Sequence, residues 1–331
     1  MTQVLVTGAT GMVGPRVVEA FVAAGFQVRT FSRDSMEEGP VPAGVDVWMG
    51  NVTDAAAIRS AVVGVDVVVH LAALLHLPDP PLDLRGEYAR VNVEGTRVVV
   101  AAAQEAGVER VVFFSTIAVY GEASGRVVAE DAPVRPRTLY AATKAEAERI
   151  VLEGRRRDGA PLGVVLRPGS VYGARVKGNY RRLVGALARR RFVAVGDGRN
   201  RRAMVYDRDV ASATVLAATH PAAPGRVYNV SDGKEHTLAA IIEAICAGLG
   251  RRPPRWRVPL RPVRLGVGLV ERGARLVGVR PPVTRATLDK YTEDMAVDSR
   301  RIREELGFVP RYDLRAGWRE TIDAMREAGE I

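Results

Sequence analysis

Residues Val4 to Gly14 read Val-Leu-Val-Thr-Gly-Ala-Thr-Gly-Met-Val-Gly, a short apolar run that opens into three glycines. This order is typical of a buried first strand that turns into a helix whose N-terminus receives a pyrophosphate. Gly8 would permit the tight turn, and Gly11 would let backbone N–H groups approach the phosphates. Gly14 would let the helix lie close to the sheet. The stretch therefore predicts a dinucleotide site, the alternative being a glycine-rich turn at the start of a domain.

Apolar runs alternate with helical patterns through the first half of the chain. Five further runs are expected to be strands, at 27–32, 45–49, 65–71, 110–115 and 162–167. Near-continuous Val/Leu strands separated by helices indicate a parallel sheet buried on both faces. The expected fold is α/β, a doubly wound parallel (Rossmann) sheet in residues 1–170 with a smaller C-terminal α/β substrate lobe in residues 171–331. We expect residues 204–219 to return to the first domain.

Composition narrows the class of protein. The 331 residues are 47% hydrophobic, enough to bury a sizeable core. Cys246 is the single cysteine, so no internal disulfide can form, which suits a reducing compartment. The first strand follows Met1 closely, so we expect no cleavable leader and a cytoplasmic protein. No run of 18 apolar residues occurs, so no membrane span is expected. No metal site is expected either.

Arginine dominates the positive charge. The formal net charge is +10, and only four of the 48 basic residues are lysines. Either the composition is generally arginine-rich, or a basic cleft attracts anionic ligands. Nucleic-acid binding is not expected, because no basic patch interleaved with aromatic residues occurs. The segment Arg251 to Arg280 is predicted either to cover the second domain or to form an amphipathic helix on an anionic membrane.

Three residues carry the predicted chemistry. Tyr140 and Lys144 fall one turn apart on one face of a predicted helix. A phenol is too weak an acid to serve as a base at neutral pH, and a neighbouring ammonium would lower its pKa. Thr116 directly follows a strand, at the carboxyl edge where doubly wound sheets bind ligands, and its hydroxyl would hold a substrate oxygen. The alternatives are solvated side chains and a capped turn.

The chain resembles the extended short-chain dehydrogenase/reductases, also called the NAD-dependent epimerase/dehydratase family. Matching stretches occur from end to end. They are Thr7-Gly-Ala-Thr-Gly-Met-Val-Gly14, Val69-His-Leu-Ala-Ala73, Asn92 with Gly95-Thr96, Ser115-Thr-Ile-Ala-Val-Tyr-Gly121, Tyr140-x-x-x-Lys144, Arg167-Pro-Gly-Ser-Val-Tyr-Gly173, Gly196-Asp-Gly198, Tyr228-Asn-Val-Ser-Asp-Gly233 and Leu306-Gly-Phe.

The resemblance implies a role for each matching residue. Tyr140 would be the general base and acid, Lys144 would lower its pKa and bind the nicotinamide ribose, and Thr116 would position the reacting oxygen. The other residues implied in cofactor binding are Gly8, Gly11, Met12, Val13, Gly14, Ser32, Arg33, Asn51, Val52, Leu71, Ala72, Ala73, Asn92 and Pro168. Asn51 stands where the family usually has Asp, which weakens the predicted adenine contact. The resemblance also implies a homodimer.

The cofactor, NAD or NADP, depends on the end of the second strand. A carboxylate there would bind the ribose 2′-hydroxyl of NAD, but position 32 is Ser. Arg33 would instead pair with a 2′-phosphate, which favours NADP, while the nearby Asp34 leaves NAD open. If the protein is an epimerase, NAD is favoured.

The resemblance also bears on the reaction. Sugar-nucleotide dehydratases of the family carry Asp-Glu after the catalytic Thr, whereas this chain has Ile117-Ala118, so dehydration is disfavoured. Asn179 and Arg202 match residues that contact the nucleotide diphosphate in family sugar epimerases, and Arg pairs well with phosphates. A basic surface loop is the alternative. The Arg-x-Gly-Asp of many such epimerases is absent.

The working hypothesis is a nucleotide-sugar 4-epimerase that acts by transient hydride transfer through a 4-keto intermediate, with a UDP-sugar as the substrate type. A 4-ketosugar reductase that uses NADPH would employ the same residues. A hydroxysteroid- or flavonol-type dehydrogenase is a further alternative, suited by the apolar Leu74-Leu75 and Leu265–Val277. A dinucleotide-sensing regulator is disfavoured by the intact pair of Tyr140 and Lys144.

Overall fold

The protein is built from one large sheet, smaller sheets and flanking helices. The computed structural model describes residues 2–34, 42–74, 84–123, 125–276, 279 and 284–331. Its strands are β1 (Gln3–Thr7), β2 (Gln27–Ser32), β3 (Asp46–Met49), β4 (Val67–His70), β5 (Arg110–Phe114), β6 (Val127–Val128), β7 (Gly163–Pro168), β8 (Ser170–Tyr172), β9 (Ala194–Val195), β10 (Arg201–Tyr206), β11 (Val227–Val230), β12 (Glu235–Thr237), β13 (Arg257–Val258) and β14 (Ala296–Val297).

The helices fall between these strands and after them. They are α1 (Gly14–Ala23), α2 (Ala55–Ala61), α3 (Leu84–Tyr88), α4 (Gly95–Ala106), α5 (Leu139–Glu153), α6 (Gly178–Ala188), α7 (Asp207–Thr219), α8 (Leu238–Gly248), α9 (Leu260–Leu276), α10 (Arg285–Thr292), α11 (Arg300–Leu306) and α12 (Leu314–Glu327). A π-helical turn at Ala89–Glu94 joins α3 to α4, and a 3-10 turn at Ile117–Tyr120 follows β5.

The large sheet has the strand order β3-β2-β1-β4-β5-β7-β11, and every neighbouring pair is parallel. The predicted doubly wound sheet is therefore confirmed. The chain runs outward from β1 to β3 and then crosses to β4 on the other side of β1. Sheets of this kind bind ligands beyond the carboxyl ends of the strands where the order reverses. Thr7 and His70, the last residues of β1 and β4, mark that point.

Helices cover both faces of the large sheet, which explains the continuous apolar strands. Helices α1 and α7 pack on one face through residues such as Phe21 and Val210. Helices α2, α4 and α5 cover the other through residues such as Ile58, Val99 and Val151. Removing each such side chain from water contributes about 1.5–3 kcal/mol. Helix α7 and the edge strand β11 pack with the large sheet, although both fall within residues 171–331, the range predicted as the substrate lobe. The division into residues 1–170 and 171–331 stays a prediction.

Several of the other elements lie at the carboxyl edge of the large sheet, while α11 packs on the sheet beside β11. Strand β7 ends at Pro168 and β8 begins at Ser170, so the small sheet β12-β10-β8 starts where the large sheet stops. Helices α6, α8 and α12 pack around an aromatic cluster in which the rings of Tyr172 and Trp318 stack with centroids 4.7 Å apart. The substrate side of the site is therefore held by its own apolar core.

Candidate active site

The glycine loop joins the ends of β1 and β4 at close range. Gly8 has φ +70°, and a Cβ there would lie 2.6 Å from the backbone nitrogen of Ala72. A Cβ on Gly14 would collide with the backbone of Ala9, so α1 can approach the loop only with glycine at that position. Both glycines are thus required for close backbone approach, as the sequence predicts.

The N-terminus of α1 fits a pyrophosphate. Val13 occupies the N-cap position without a side-chain cap, and the first turn carries no acidic residue. The first N–H groups of a helix have no intrahelical partner, and the helix dipole is positive at this end. Gly11, Met12 and Val13 form the approach to these donors, so the residues present suit a dinucleotide diphosphate.

Ser32 and Arg33 lie at the carboxyl end of β2, as expected, but in different environments. Ser32 is buried, and its hydroxyl accepts a 3.4 Å hydrogen bond from the backbone N–H of Thr10 in the glycine loop. Arg33 is exposed, and its Nε lies 3.4 Å from a carboxylate oxygen of Asp34. Ser32 thus shapes the loop, while the Arg33 guanidinium stays accessible to a ribose substituent.

Asn51 and Val52 shape the turn before α2. The side-chain oxygen of Asn51 accepts hydrogen bonds from the backbone N–H of Thr53 at 3.1 Å and from its hydroxyl at 3.0 Å. Val52 is buried beside Gly95. In this arrangement the amide oxygen of Asn51 is occupied by the turn, so a contact to adenine would have to use its Nδ2 group.

A chain of hydrogen bonds runs from the glycine loop to Asn92 through a histidine that the sequence reasoning did not assign. His70 Nδ1 lies 2.7 Å from Thr7 Oγ1, and His70 Nε2 lies 3.1 Å from Thr96 Oγ1. The Thr96 hydroxyl donates to the carbonyl of Asn92 at 2.7 Å. Because that proton is used, Nε2 carries the histidine proton and Nδ1 accepts from Thr7.

The electrostatic setting of His70 keeps this chain intact. Burial, together with a smaller effect of the nearby charge of Lys144, lowers the pKa of His70 to about 3. The imidazole is therefore neutral at physiological pH and keeps one donor and one acceptor. The ends of β1, β4 and the π-helical turn are held in fixed register by these bonds.

Asn92 ties the segment after β4 to the helix that carries Tyr140. Its Oδ1 accepts from the backbone N–H of Leu74 at 2.7 Å, which holds the stretch Leu71–Ala73 in place. Its Nδ2 donates to Thr143 Oγ1 at 3.1 Å, and that hydroxyl donates to the carbonyl of Tyr140 at 2.9 Å. Asn92 lies in the π-helical turn between α3 and α4. Such turns are frequent at functional sites.

Tyr140 and Lys144 lie one turn apart on α5, as predicted, but the pKa of the phenol moves in the opposite direction from the one expected. In the protein by itself, burial, together with a smaller effect of Tyr88, raises the pKa of Tyr140 to about 12. Burial also lowers the pKa of Lys144 to about 7, against an opposing effect of Glu148. The burial of the phenol, rather than its spacing from Lys144, decides the direction of the shift, which is the physical reason for the difference.

A buried ion pair anchors α5 to β7 below these residues. The guanidinium of Arg167 donates to both carboxylate oxygens of Glu148, at 2.9 and 2.6 Å. It also donates to the hydroxyl of Tyr120 at 2.8 Å, and that hydroxyl donates to Asn229 at 2.7 Å. Lys144 sits beside this pair, with its Nζ 4.0 Å from the centroid of the Phe113 ring. The network fixes the helix that presents Tyr140.

Thr116 caps the 3-10 turn and borders a small cavity. Its hydroxyl oxygen accepts from the backbone N–H of Ala118 at 3.2 Å, so the predicted alternative of a capped turn is present. The same residue lines a cavity of about 180 Å³ together with Ser170, Arg202 and Glu293. The hydroxyl proton of Thr116 remains available to a ligand, because accepting one hydrogen bond does not use it.

Asn179 and Arg202, predicted from separate stretches, line one cavity of about 440 Å³. Asn179 lies in the first turn of α6, whose N-cap residue Lys177 makes no side-chain cap. Arg202 donates to the carbonyl of Tyr291 at 3.2 Å and lies 3.4 Å from the carboxylate of Glu293. Ser170 and Arg202 line both this cavity and the Thr116 cavity, so the two adjoin.

Some expectations find no test in the structure. Leu75, Val277 and residues 280–282 lie outside the described residues. Pro168, which the family resemblance implies in cofactor binding, is buried at the end of β7. Within the described part of the chain, no cluster of three or more His, Cys, Asp or Glu side chains could hold a metal ion. No described helix has both the length and the apolar character needed to cross a bilayer.

The parallel sheet, its glycine loop and the uncapped N-terminus of α1 together define a dinucleotide-binding type of fold. The chain belongs to the NAD dependent epimerase/dehydratase family, whose sequence model matches residues 4–231. The protein is accordingly an NAD-dependent enzyme of the epimerase and oxidoreductase type.

Individual relatives span the whole chain. The chain is 28% identical to an N-acetyl-alpha-D-glucosaminyl-diphospho-ditrans,octacis-undecaprenol 4-epimerase of Escherichia coli O157:H7, covering 96% of this chain and 94% of that protein. It is 29% identical to a 4-hydroxy-2-methyl-3-oxo-4-farnesyl-3,4-dihydroquinoline-1-oxide ketoreductase of Stigmatella aurantiaca, covering 98% and 96%. The structure of MoeE5 in complex with UDP-glucuronic acid and NAD is 28% identical, with a TM-score of 0.78 and coverage of 98% and 99%.

Proposed function

We propose that the protein is a nucleotide-sugar 4-epimerase. The observation that carries the proposal is the meeting of Asn179 and Arg202 in one cavity, which adjoins the cavity of Thr116 through Ser170 and Arg202. A diphosphate held by Asn179 and Arg202 would leave the sugar free to reach Thr116. The relatives that act on diphospho-linked sugars or bind UDP-glucuronic acid support this substrate class.

In the proposed mechanism Tyr140 takes the proton of the sugar C4 hydroxyl, and Thr116 holds the same oxygen by a hydrogen bond. The glycine loop and the N-terminus of α1 would hold the diphosphate of NAD, which would supply a reversible hydride acceptor for C4 while the keto sugar turns over. Arg202 and Asn179 would keep the diphosphate in place during that rotation. Tyr140 would then return the proton to the C4 oxygen. Because the turned keto sugar would present its other face to the hydride, the product would be the C4 epimer, with no net redox change.

The high pKa of Tyr140 in the protein alone sets a condition on this mechanism. A phenol whose pKa is about 12 cannot act as a base near neutral pH. A positive charge close to the hydroxyl favours the phenolate, and an oxidised nicotinamide carries such a charge. We therefore infer that Tyr140 becomes an effective base only in the complex with oxidised dinucleotide.

NAD is the cofactor that an epimerase would retain. The Arg33 guanidinium remains available for a 2′-phosphate, as the sequence reasoning held, but its neighbour Asp34 reduces the local positive charge. The family and the NAD bound to MoeE5 support NAD over NADP. We also propose a homodimer, on the basis of the family resemblance, which light scattering of the purified protein tests. The single buried Cys246 supports a cytoplasmic location.

Identification of the released cofactor tests the reaction class. The purified protein is denatured and the supernatant analysed for NAD and NADP, and the native protein is incubated with UDP-sugars while both C4 epimers are measured. Co-purified NAD and interconversion without added cofactor support the epimerase. A protein that releases no dinucleotide and consumes NADPH with a 4-ketosugar would instead be the reductase.

A second function is favoured by the walls of the larger cavity. Besides its polar residues, apolar side chains line it: Leu183, Ala186, Phe192, Leu238 and the rings of Tyr180 and Tyr291. A dehydrogenase or reductase of hydrophobic alcohols and ketones would use such walls, and the farnesylated substrate of the Stigmatella relative supports it. Thermal protection by UDP-sugars, with none by steroids or flavonoids, would reject this alternative.

A further inference from the structure

Helix α9 carries two large apolar side chains that point into solvent. Leu265 is 70% exposed and Leu269 is 67% exposed, and the two lie one turn apart on the same face. The opposite face is half-buried, at Val263, Val267 and Ala274. Helix α9 therefore has a half-buried face, while it presents an apolar stripe on the other.

Positive charge is concentrated around this stripe. Residues 251–276 contain eight arginines and a single acidic residue, Glu271, so they supply seven of the ten excess positive charges of the chain. Arg261 and Arg272 are exposed, and they lie four residues before Leu265 and three residues after Leu269. That spacing places each guanidinium beside a leucine on the helix surface.

Two further exposed apolar residues lie just before α9. Trp256 is 88% exposed and Val193 is 60% exposed. They directly precede Arg257 and Ala194, which pair in the parallel ladder of β13 and β9, so they lie at the same end of that ladder. Tryptophan among arginines is typical of surfaces that meet the headgroup region of a bilayer.

An arginine-lined cavity lies at the start of the same segment. It has a volume of about 490 Å³, and Arg190, Arg251 and Arg252 surround apolar walls formed by Leu187 and Phe192. Arg190 has φ +56°, the only positive φ among the described residues other than glycine. Three guanidinium groups above an apolar floor suit a headgroup phosphate with part of its lipid chain.

We propose that these residues, 190–193 and 251–276, form a docking surface for an anionic lipid bilayer. A helix with leucines on one face and arginines beside them lies in the plane of such a surface, and its charges are attracted to anionic headgroups. A second copy of the chain is disfavoured as the occupant, because a symmetric contact would place the arginines of one copy against those of the other. Phe192 lines both the arginine cavity and the larger site cavity, so docking would bring the site close to the lipid.

Cosedimentation of the full-length protein, with its dinucleotide, tests the proposal. The vesicles are phosphatidylcholine alone or phosphatidylcholine mixed with phosphatidylglycerol. We expect binding to the mixed vesicles only, with loss of binding at high salt. Leu265→Gln with Leu269→Gln should weaken binding about tenfold through lost apolar contact. Arg261→Gln with Arg272→Gln should weaken it about 30-fold, since each basic residue adds attraction near the anionic surface.

Matched variants keep the test specific. Met49→Gln with Val309→Gln removes two similarly exposed apolar residues from other parts of the surface, and Arg97→Gln with Arg149→Gln removes two exposed arginines of the sheet half. These controls should bind vesicles like the wild type, and all variants should melt at the wild-type temperature. Equal binding of the wild type to both vesicles would overturn the proposal. So would self-association that depends on Leu265 and Leu269 in a protein that ignores vesicles.

Discussion

The two sides of the candidate site are constructed in different ways. On the sheet side, polar groups are deeply buried and bonded to one another, as His70 is to Thr7 and Thr96, and as Arg167 is to Glu148. On the lobe side, the cavity has mainly apolar walls, and Asn179 and Arg202 supply polar groups at separate points. The sheet side thus fixes geometry around a dinucleotide, while the lobe side leaves room for a ligand to move.

This difference also predicts how each side responds to substitution. A buried polar group that loses its partner keeps its full desolvation cost, which raises the free energy of the folded state. A partly exposed group on a cavity wall loses only its contact with the ligand. Substitutions on the sheet side should therefore affect stability or the chemical step, and substitutions on the lobe side should affect substrate affinity.

The largest effect is expected from Tyr140→Phe, at the junction of the two sides. Removal of the hydroxyl takes away the proposed proton acceptor, so turnover should fall about 10³-fold. Affinity for NAD should stay within a factor of about two, because the ring remains in place. Steady-state kinetics with a UDP-sugar and calorimetric titration of NAD measure the two quantities.

The matched control for that variant is Tyr228→Phe. The Tyr228 hydroxyl donates to Glu305 at the edge strand β11, away from Thr116 and Arg202. The Tyr228→Phe variant should retain wild-type turnover. If Tyr140→Phe also retains it, Tyr140 has no part in proton transfer.

The next effect concerns stability on the sheet side. Glu148→Ala leaves the buried Arg167 guanidinium without its bidentate partner, and the free energy of unfolding should fall by about 3–5 kcal/mol. Glu94→Ala breaks the exposed pair with Arg97 and should change it by less than about 1 kcal/mol. Urea unfolding followed by fluorescence measures both. Equal losses in the two variants would remove the contrast between buried and exposed pairs.

Sequence patterns predicted most of the sheet side because its constraints are local. Gly8 closely approaches the backbone of Ala72, where no larger residue fits. Strands that are buried on both faces have continuous apolar sequences. The pairing of Tyr140 with Lys144 follows from helix geometry alone. These features are visible without knowing which residues meet in three dimensions.

The remaining features depend on contacts between distant parts of the chain. His70 lies in an apolar strand, and its partners Thr7 and Thr96 are 63 and 26 residues away. The π-helical turn at Asn92 could not be predicted, because the spacing of apolar residues there is compatible with an ordinary α-helix. The pKa of Tyr140 depends on how deeply the phenol is buried, so spacing from Lys144 alone gave the wrong direction.

On the lobe side, Arg202→Ala should weaken binding of a UDP-sugar about 10- to 100-fold, through the lost charge-assisted bonds to the diphosphate. NAD affinity should be unchanged. Glu293→Gln should act in the opposite direction, because it removes a negative charge 3.4 Å from the same guanidinium. Calorimetry with UDP measures nucleotide affinity in both variants, calorimetry with NAD measures cofactor affinity, and Arg97→Ala serves as a remote arginine control. Equal losses for UDP and NAD would place Arg202 outside the substrate subsite.

The smallest effect, counted per pH unit, should be a change in the pH dependence of stability in Lys144→Met. Burial lowers the pKa of Lys144 to about 7 in the folded protein, while the unfolded chain retains the ordinary value near 10.5. Between these values the unfolded chain holds one more proton, so stability rises with pH by at most about 1.4 kcal/mol per unit. The pKa of His70 is about 3 and that of Tyr140 is about 12. Of these three buried groups, only Lys144 therefore changes its charge between pH 7 and 10.5.

In Lys144→Met this contribution disappears. The variant should therefore be more stable than the wild type near pH 7, and its advantage should shrink as the pH rises toward 10.5. Urea unfolding of both proteins at several pH values between about 7 and 9.5 measures the difference in slope. Parallel curves would mean that Lys144 keeps its ordinary pKa in the folded protein. The ammonium would then be charged beside Tyr140, and the dinucleotide would not be needed to make the phenol a base.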